Sequence, residues 1–406
     1  MTGSKLRLSP AGRTDTKQSE ITVETVLFYV FYALFAQLLL ILFILLISGQ
    51  SPVFVQRWVF QLDFTGFFTA TSDWLHGVNP YLRTRFFTPP PSLLTALPFQ
   101  FFGLGLGSLF FLVIDLAIIF TSLNYICSCF KMTQRESNLF FAISSIYFPV
   151  IFLLERGNLD GIMLALILVS IFAKNRFIKS FALSLSIGFK VYSILLLAPI
   201  LLARLWKQVM AVMLFLALLM LPFHALVWNF FLSQTRRTAE VLGAENICPV
   251  GILSSVNVTE VTQHYALSHA VTLVYLALWV ASYAFMLFKN RYSDLTVKSI
   301  YSLAWMTAMP LQVFPYTGVL LLPLLALKCR EIAERGLPTL LDRLFLIGFC
   351  LVGFQQTAFS SYFHFSSAVR IFDCVNPIGT VLVIVSLALQ SSNRNQLDDP
   401  GMSAAE

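Results

Sequence analysis

The chain has 406 residues, of which 57% are hydrophobic and only 12% charged, with a mean hydropathy of +0.78. Soluble domains carry roughly 25% charged residues, so this composition excludes a soluble globular protein. Apolar runs long enough to cross ~30 Å of hydrocarbon recur along the whole sequence, which leaves no room for a separate soluble domain. The net charge of +7 requires no nucleic-acid partner, because positive-inside topology alone gives a basic excess. Six cysteines are scattered without metal-ligand spacing, and Cys127 and Cys129 read as apolar fillers near a helix end.

These features predict an all-α, polytopic transmembrane helical bundle of about 10–13 spans, some short or broken, estimated from apolar run lengths. Residues 1–23 carry Lys5, Arg7, Arg13 and Lys17 and are placed in the cytoplasm. The first span, about Thr25 to Ile47, has no small-residue cleavage site after it and reads as a retained helix. A first outer loop covers residues 49–91, and Pro91 to Phe102 is too short for a span and reads as re-entrant or oblique. Leu104 to Cys127 is the next crossing. Asn138 to Ala173 goes out and back, with Glu155-Arg156-Gly157-Asn158 at its outer turn.

Ser180 to Ala203 is a short stretch between basic breaks, so it is expected as two half-helices with their apex near Gly188-Phe189-Lys190. Gln208 to Leu232 leads to a second outer loop at 233–264, and His264 to Phe288 returns. Ser299 to Leu327 is expected to break at Pro310 and Pro315. A cytoplasmic break then runs from Lys328 to Arg343, and Leu344 to Phe363 and Ile371 to Leu389 close a single membrane domain over 24–390. Residues 391–406 form a polar cytoplasmic tail expected to be disordered. This topology, in an inner cell membrane with both termini inside, collects 19 of the 27 Lys and Arg on the cytoplasmic side.

The same topology gathers Asp63, Arg83, Arg85, Glu155, Arg156, Asp160 and Lys190 at or near the outer surface, from four distant segments. Ionisable groups at membrane depth are costly and mark sites or pathways. Lys190 and Arg156 stand out, each at the apex of a tight apolar hairpin, and Lys190 has no acidic neighbour in sequence. Asp73 reads as a solvated helix-face residue and Asp115, mid-span, as a partner in a helix–helix hydrogen bond. All five histidines (His76, His224, His264, His269, His364) map to the outer half, yet no pair has H-x-x-x-H or comparable spacing, so no metal site is assigned. Asn257-Val258-Thr259 matches a glycosylation sequon.

Asp63-Phe64, then Gly77-Val78-Asn79-Pro80-Tyr81 and Phe87-Thr88-Pro89-Pro90, resemble the first outer loop of glycosyltransferase family 87, the multi-spanning C-type mannosyltransferases fed by polyprenyl-phosphate mannose. Glu155-Arg156-Gly157-Asn158 is similar to the family's R-G-Q/N turn, and Gly188-Phe189-Lys190-Val191-Tyr192 to its K-x-x-P hairpin. Asn246 to Ser255 is similar to an Asn/Ser-containing outer loop, and Pro310 to Tyr316 to its P-x-x-W-x-H-Y segment. The resemblance runs from about Phe60 to Leu327. It departs where Pro315 stands at the histidine position, Val313 or Phe314 at the tryptophan, and Ser193 at the hairpin proline.

The resemblance implies a C-type glycosyltransferase fold, inverting transfer of a hexose to a lipid-linked or glycan acceptor, and Asp63 at the family's acidic position. Outside the cytoplasm there is no nucleotide-sugar supply, and the chain has no GxxxxGK phosphate loop, so a polyprenyl-phosphate sugar from the bilayer is the donor that fits. Asp63 is the expected general base. Lys190 and Arg156, helped by Arg83 or Arg85, are the expected cations for the departing phosphate. Asn79, Tyr81, Glu155, Asn158 and Tyr316 are expected to contact sugar or acceptor, with the loop's aromatic rings stacking on sugar faces. No cofactor, no obligatory metal and no nucleic-acid partner are expected. Two rival readings are a transporter or flippase, which shares broken hairpins with midplane ions, and a ligase for lipid-linked glycans.

Overall fold

A computed structural model describes residues 21–47, 61–83, 86, 88–237, 265–308, 315–354 and 375–390, and every described element is helical. Arg85, the second outer loop from 238 onward, the Pro310 break and the sequon lie outside the described residues. α1 (Val23–Ile47) comes first, followed by α2 (Leu62–Leu75) and the single turn α3 (Pro80–Arg83). Two 3₁₀ turns, Pro90–Thr95 and Leu97–Phe102, follow, and then the long α4 (Gly103–Cys129). Pro91 to Phe102 forms 3₁₀ turns that run on into α4, and Pro90–Cys129 together is long and apolar enough to cross a membrane. Pro98, at the start of the second turn, lacks the N–H that a continuous α-helix running from Pro90 into α4 would need.

The chain then folds out and back. α5 (Gln134–Ile146) starts on a capping box between Thr133 and Glu136. It bends by 57° into α6 (Phe148–Arg156), with Tyr147 extended at the joint and Pro149 in the first turn of the new helix. α6 ends on Gly157 in the left-handed region (φ 62°), and α7 (Asp160–Phe172) returns. α8 (Arg176–Phe189) begins on the Asn175 side chain, which accepts from the N–H groups of Phe177 and Ile178. It stops at Lys190, whose backbone is extended (φ −147°, ψ 120°). A 3₁₀ turn (Val191–Leu196) and α9 (Leu197–Leu202) continue beyond this break, which falls at the expected position.

α10 (Trp206–Met220) and α11 (His224–Arg237) continue through a 3₁₀ turn, followed by helices Tyr265–Lys289, Leu295–Thr307, Leu322–Arg335, Leu340–Val352 and Val375–Leu389. By length and composition two described helices can cross a membrane, Pro90–Cys129 and Trp206–Ser233, or three if the bent pair Gln134–Arg156 counts as one. Several other apolar helices, Asp160–Phe172, Val191–Leu202 and Val375–Leu389, are 10–17 residues long, shorter than the ~20 needed for a straight crossing.

The cytoplasmic break read from the sequence starts too early. Lys328 is not in a wet turn: its helix runs on to Arg335, and the turn comes at Gly336. Lys328 is fully buried, and its ammonium donates to Glu331 (2.9 Å), to the Tyr301 hydroxyl (3.0 Å) and to Gln390. A buried cation is tolerated when its donors are satisfied, which is why a run rich in Lys, Arg and Glu misreads as solvated.

Two helices, Leu340–Val352 and Val375–Leu389, touch through glycine. A Cβ on Gly348 would lie 2.7 Å from the Gly379 carbonyl, and one on Gly379 would lie 2.7 Å from the Gly348 carbonyl. Apolar helices in lipid associate through such close backbone contact. Gly379→Ala is expected to force the pair apart at a cost of about 1–3 kcal/mol, read as a lower thermal unfolding midpoint of the detergent-solubilised protein.

Candidate active site

Three helix ends meet on one side of the bundle. The start of α2 docks on the end of α6 through Gln61, which adopts a left-handed backbone (φ 60°). Its N–H donates to the Glu155 carbonyl at 2.8 Å and its Nε2 to the Leu154 carbonyl at 2.8 Å, satisfying carbonyls that the end of α6 leaves open. Gly157 makes this docking possible: a Cβ there would fall 2.1 Å from Gln61 Oε1 and 3.0 Å from Phe64 Cβ. Both the backbone sign and the space demand glycine.

The charges then fall into a line. Arg156, in the last turn of α6, places Nη2 3.1 Å from Asp63 Oδ1 in the first turn of α2. Asn158 donates from Nδ2 to Asp63 Oδ2 at 2.6 Å, while its Oδ1 accepts from Lys190 Nζ at 2.8 Å. Lys190 also donates to Asp160 Oδ2 at 2.7 Å. Asp160 further accepts from the Tyr192 hydroxyl and, at 3.4 Å, from Thr317 Oγ1. The two acids occupy helix first turns and the two bases helix ends, the arrangement that helix dipoles favour. Lys190 Nζ sits 5.0 Å from the Tyr316 ring, and Tyr316 stacks on Phe152 at 5.7 Å. The segment around Tyr316 therefore joins the site although the family's histidine is replaced by Pro315.

The chain thus brings Asp63, Arg156, Asn158, Lys190 and Tyr316 together. Glu155 is half-buried at the same turn, and its carboxylate makes no hydrogen bond among the described residues. Two acids at the site, Asp63 and Asp160, differ in access: the Asp63 side chain keeps 17% of its exposure, whereas Asp160 keeps none.

Arg83 lies elsewhere. It pairs with Asp73 at 3.0 Å toward the far end of α2, so Asp73 is a buried ion-pair partner and not the solvated residue the sequence suggested. Asn79 and Tyr81 spend their polar atoms on the loop. Asn79 Oδ1 accepts from the Tyr81 N–H at 3.0 Å, and Tyr81 Oη donates to the Thr88 carbonyl at 2.7 Å. Burial pushes the Tyr81 phenol far above its usual range. The loop's aromatic rings pack on one another: Phe64 stacks on Phe111 at 4.6 Å and meets Phe99 edge-on at 5.5 Å, and Trp74 contacts Phe223 at 4.9 Å. These five rings pack against one another.

Asp115 also departs from expectation. It is buried on α4, and neither carboxylate oxygen has a hydrogen-bond partner among the described residues. The residue opposite is Gly161, where a Cβ would lie 2.2 Å from Asp115 Oδ1, so the facing helix offers no side-chain donor. Asp160, Tyr192, Thr317 and Gln61 were not assigned roles from sequence; the only sequence signal was Asp160's place at the outer end of an apolar helix. Among the described residues no three His, Cys, Asp or Glu side chains form a metal-holding group; His264, His364 and the side chain of His269 lie outside them.

Gly157→Ala is expected to cost about 1–3 kcal/mol from its backbone alone, with more from the clash with Gln61. Thermal unfolding in detergent should show the loss, and Gln61→Ala in the same chain should recover part of it.

No curated protein and no solved structure matches the chain. The model for "Glycosyltransferase family 87" matches residues 86–331, more than half of the chain. Arg156, Asn158, Asp160, Lys190, Tyr192, Tyr316 and Thr317 fall within that stretch, and Asp63 precedes it. The chain is a member of glycosyltransferase family 87 and a helical membrane protein.

Proposed function

We propose that this membrane glycosyltransferase moves a hexose, mannose by family resemblance, from a polyprenyl-phosphate sugar to a lipid-linked or glycan acceptor. The reaction takes place on the outer face of the inner membrane and inverts the anomeric centre. The observation that carries this reading is the single line of side chains from Arg156 through Asp63 and Asn158 to Lys190. It sets a partly exposed carboxylate one amide away from a cation at the break of an apolar hairpin.

In this reading the acceptor hydroxyl attacks the anomeric carbon while Asp63 takes its proton. The bond from that carbon to the phosphate oxygen breaks, and its electron pair stays with the lipid phosphate. Lys190 and Arg156 face the charge that develops there, fixed in place before reaction by their helix ends and partners. Tyr316 flanks Lys190, and Glu155, half-buried at the same turn, is a further carboxylate for the acceptor. With Arg83 held by Asp73, the phosphate falls to Lys190 and Arg156. Asn158 serves as the bridge between base and cation, its amide engaged at both ends.

Asp63→Asn is expected to lower transfer from polyprenyl-phosphate mannose about 10²–10⁴-fold while the protein accumulates normally; unchanged transfer removes Asp63 as the base. Lys190→Met should raise the donor KM far more than the acceptor KM, measured by initial rates in membranes. Lys190→Cys should react with a membrane-impermeant thiol reagent from the outer side; labelling from the cytoplasm alone reverses the orientation.

A further inference from the structure

Asp160 is the most deeply buried charge of the site, and the chemistry above gives it no task. Its side chain has no exposure, so it reaches neither sugar nor acceptor. Its contacts nevertheless tie three segments together: Lys190 at the end of α8, Tyr192 in the following 3₁₀ turn, and Thr317 beside Tyr316. Lys190 has three N–H donors. One goes to Asp160 and one to Asn158, and the third has no hydrogen-bond partner among the described residues.

The charge balance across one turnover gives Asp160 a purpose. The donor is a phosphodiester with one negative charge. After transfer the lipid phosphate is a monoester, which carries about −1.5 to −2 at neutral pH. The hydroxyl proton goes to Asp63 and then to water, so atoms and charges balance. Two cations set in a site of low dielectric would hold that more charged product more tightly than the donor. Here each cation already has a carboxylate: Asp63 on Arg156 and Asp160 on Lys190.

We propose that Asp160 is a positioning residue that serves as the standing counter-charge of Lys190, aiming its third N–H at the donor phosphate and weakening its hold on the product polyprenyl phosphate. This rests on the donor-phosphate role given to Lys190 above. The other charges facing the pair are fixed. Arg156 lies on Asp63, and Asp115 of α4 stands against Gly161, next to Asp160 in the chain.

The test is equilibrium binding of labelled polyprenyl phosphate to the purified full-length chain in detergent, which needs no acceptor. Asp160→Asn should bind it roughly ten-fold more tightly or better, from the loss of one nearby opposing charge, and Asp160→Glu should return it toward wild type. Adding Lys190→Met to Asp160→Asn should abolish the gain. A merely structural role for Asp160 would weaken binding or leave it unchanged, and either result overturns the proposal. If Lys190→Met alone leaves binding by the wild-type chain unaltered, the reading of Lys190 fails first and the proposal goes with it; if Lys190→Met weakens binding but Asp160→Asn does not strengthen it, only the proposal falls. Should Asp160→Asn not accumulate, Tyr192→Phe carries the test. It removes a hydroxyl donor to Asp160 and leaves the carboxylate more fully on Lys190, so polyprenyl phosphate should bind several-fold more weakly, and binding that is not weakened overturns the proposal.

Discussion

An ammonium or a carboxylate among apolar helices is costly unless a partner of opposite charge and a set of hydrogen bonds stand ready. That requirement shapes this protein. Arg156 and Lys190 each have a carboxylate, and Asn158 spans the two pairs with both ends of its amide. The helices break where the charges sit, at Gly157 and at Lys190, because irregular backbone at membrane depth must be buried in protein or line a wet cavity. The second charged cluster, Lys328 with Glu331, Tyr301 and Gln390, obeys the same rule. Its donors and acceptors are matched within the helices Leu295–Thr307, Leu322–Arg335 and the end of Val375–Leu389.

The aromatic richness of the outer loop serves the same end by a different force. Phe64, Phe67, Phe86, Phe99 and Phe111 form a buried cluster of their own with Tyr81, Phe223 and Phe230. It fixes α2 against the 3₁₀ turns and α4, and so fixes where Asp63 points. Packing of this kind is stiff, since interiors are as dense as organic crystals. Asp63, the proposed base, is therefore positioned by packed phenylalanines.

Much of the fold was legible because apolar run length and basic breaks are strong signals in a membrane chain. The half-helix break at Lys190, the turn at Gly157 and the crossing in α4 all follow from them. The site was legible to the extent that a lone charge in an apolar hairpin is conspicuous, which singled out Arg156 and Lys190. Asp63, Asn158 and Asp160 were placed near them, but which pairs with which was not legible. Nothing in the spacing of Asp160, Tyr192 and Thr317 says that they meet, because side chains from α7, the turn after α8 and the turn at Pro315–Leu321 are joined by tertiary contact alone. The misreadings share a cause. Asp73 and Lys328 look wet by composition, yet both are buried with hydrogen-bonded partners, Arg83 for the one and Tyr301, Glu331 and Gln390 for the other. Asp115 looks like a hydrogen-bonding residue, and the glycine opposite it denies the bond.

The central claim is that Asp63 and Lys190 stand one side chain apart across Asn158. Its most direct measurement is proximity in the folded chain: Asp63→Cys combined with Lys190→Cys, treated with a short bis-thiol reagent in membranes, and mapped by mass spectrometry after digestion. The account predicts a cross-linked pair of peptides containing positions 63 and 190, absent from either single variant. A folded double variant that takes up reagent at both positions yet forms no link between them would contradict it.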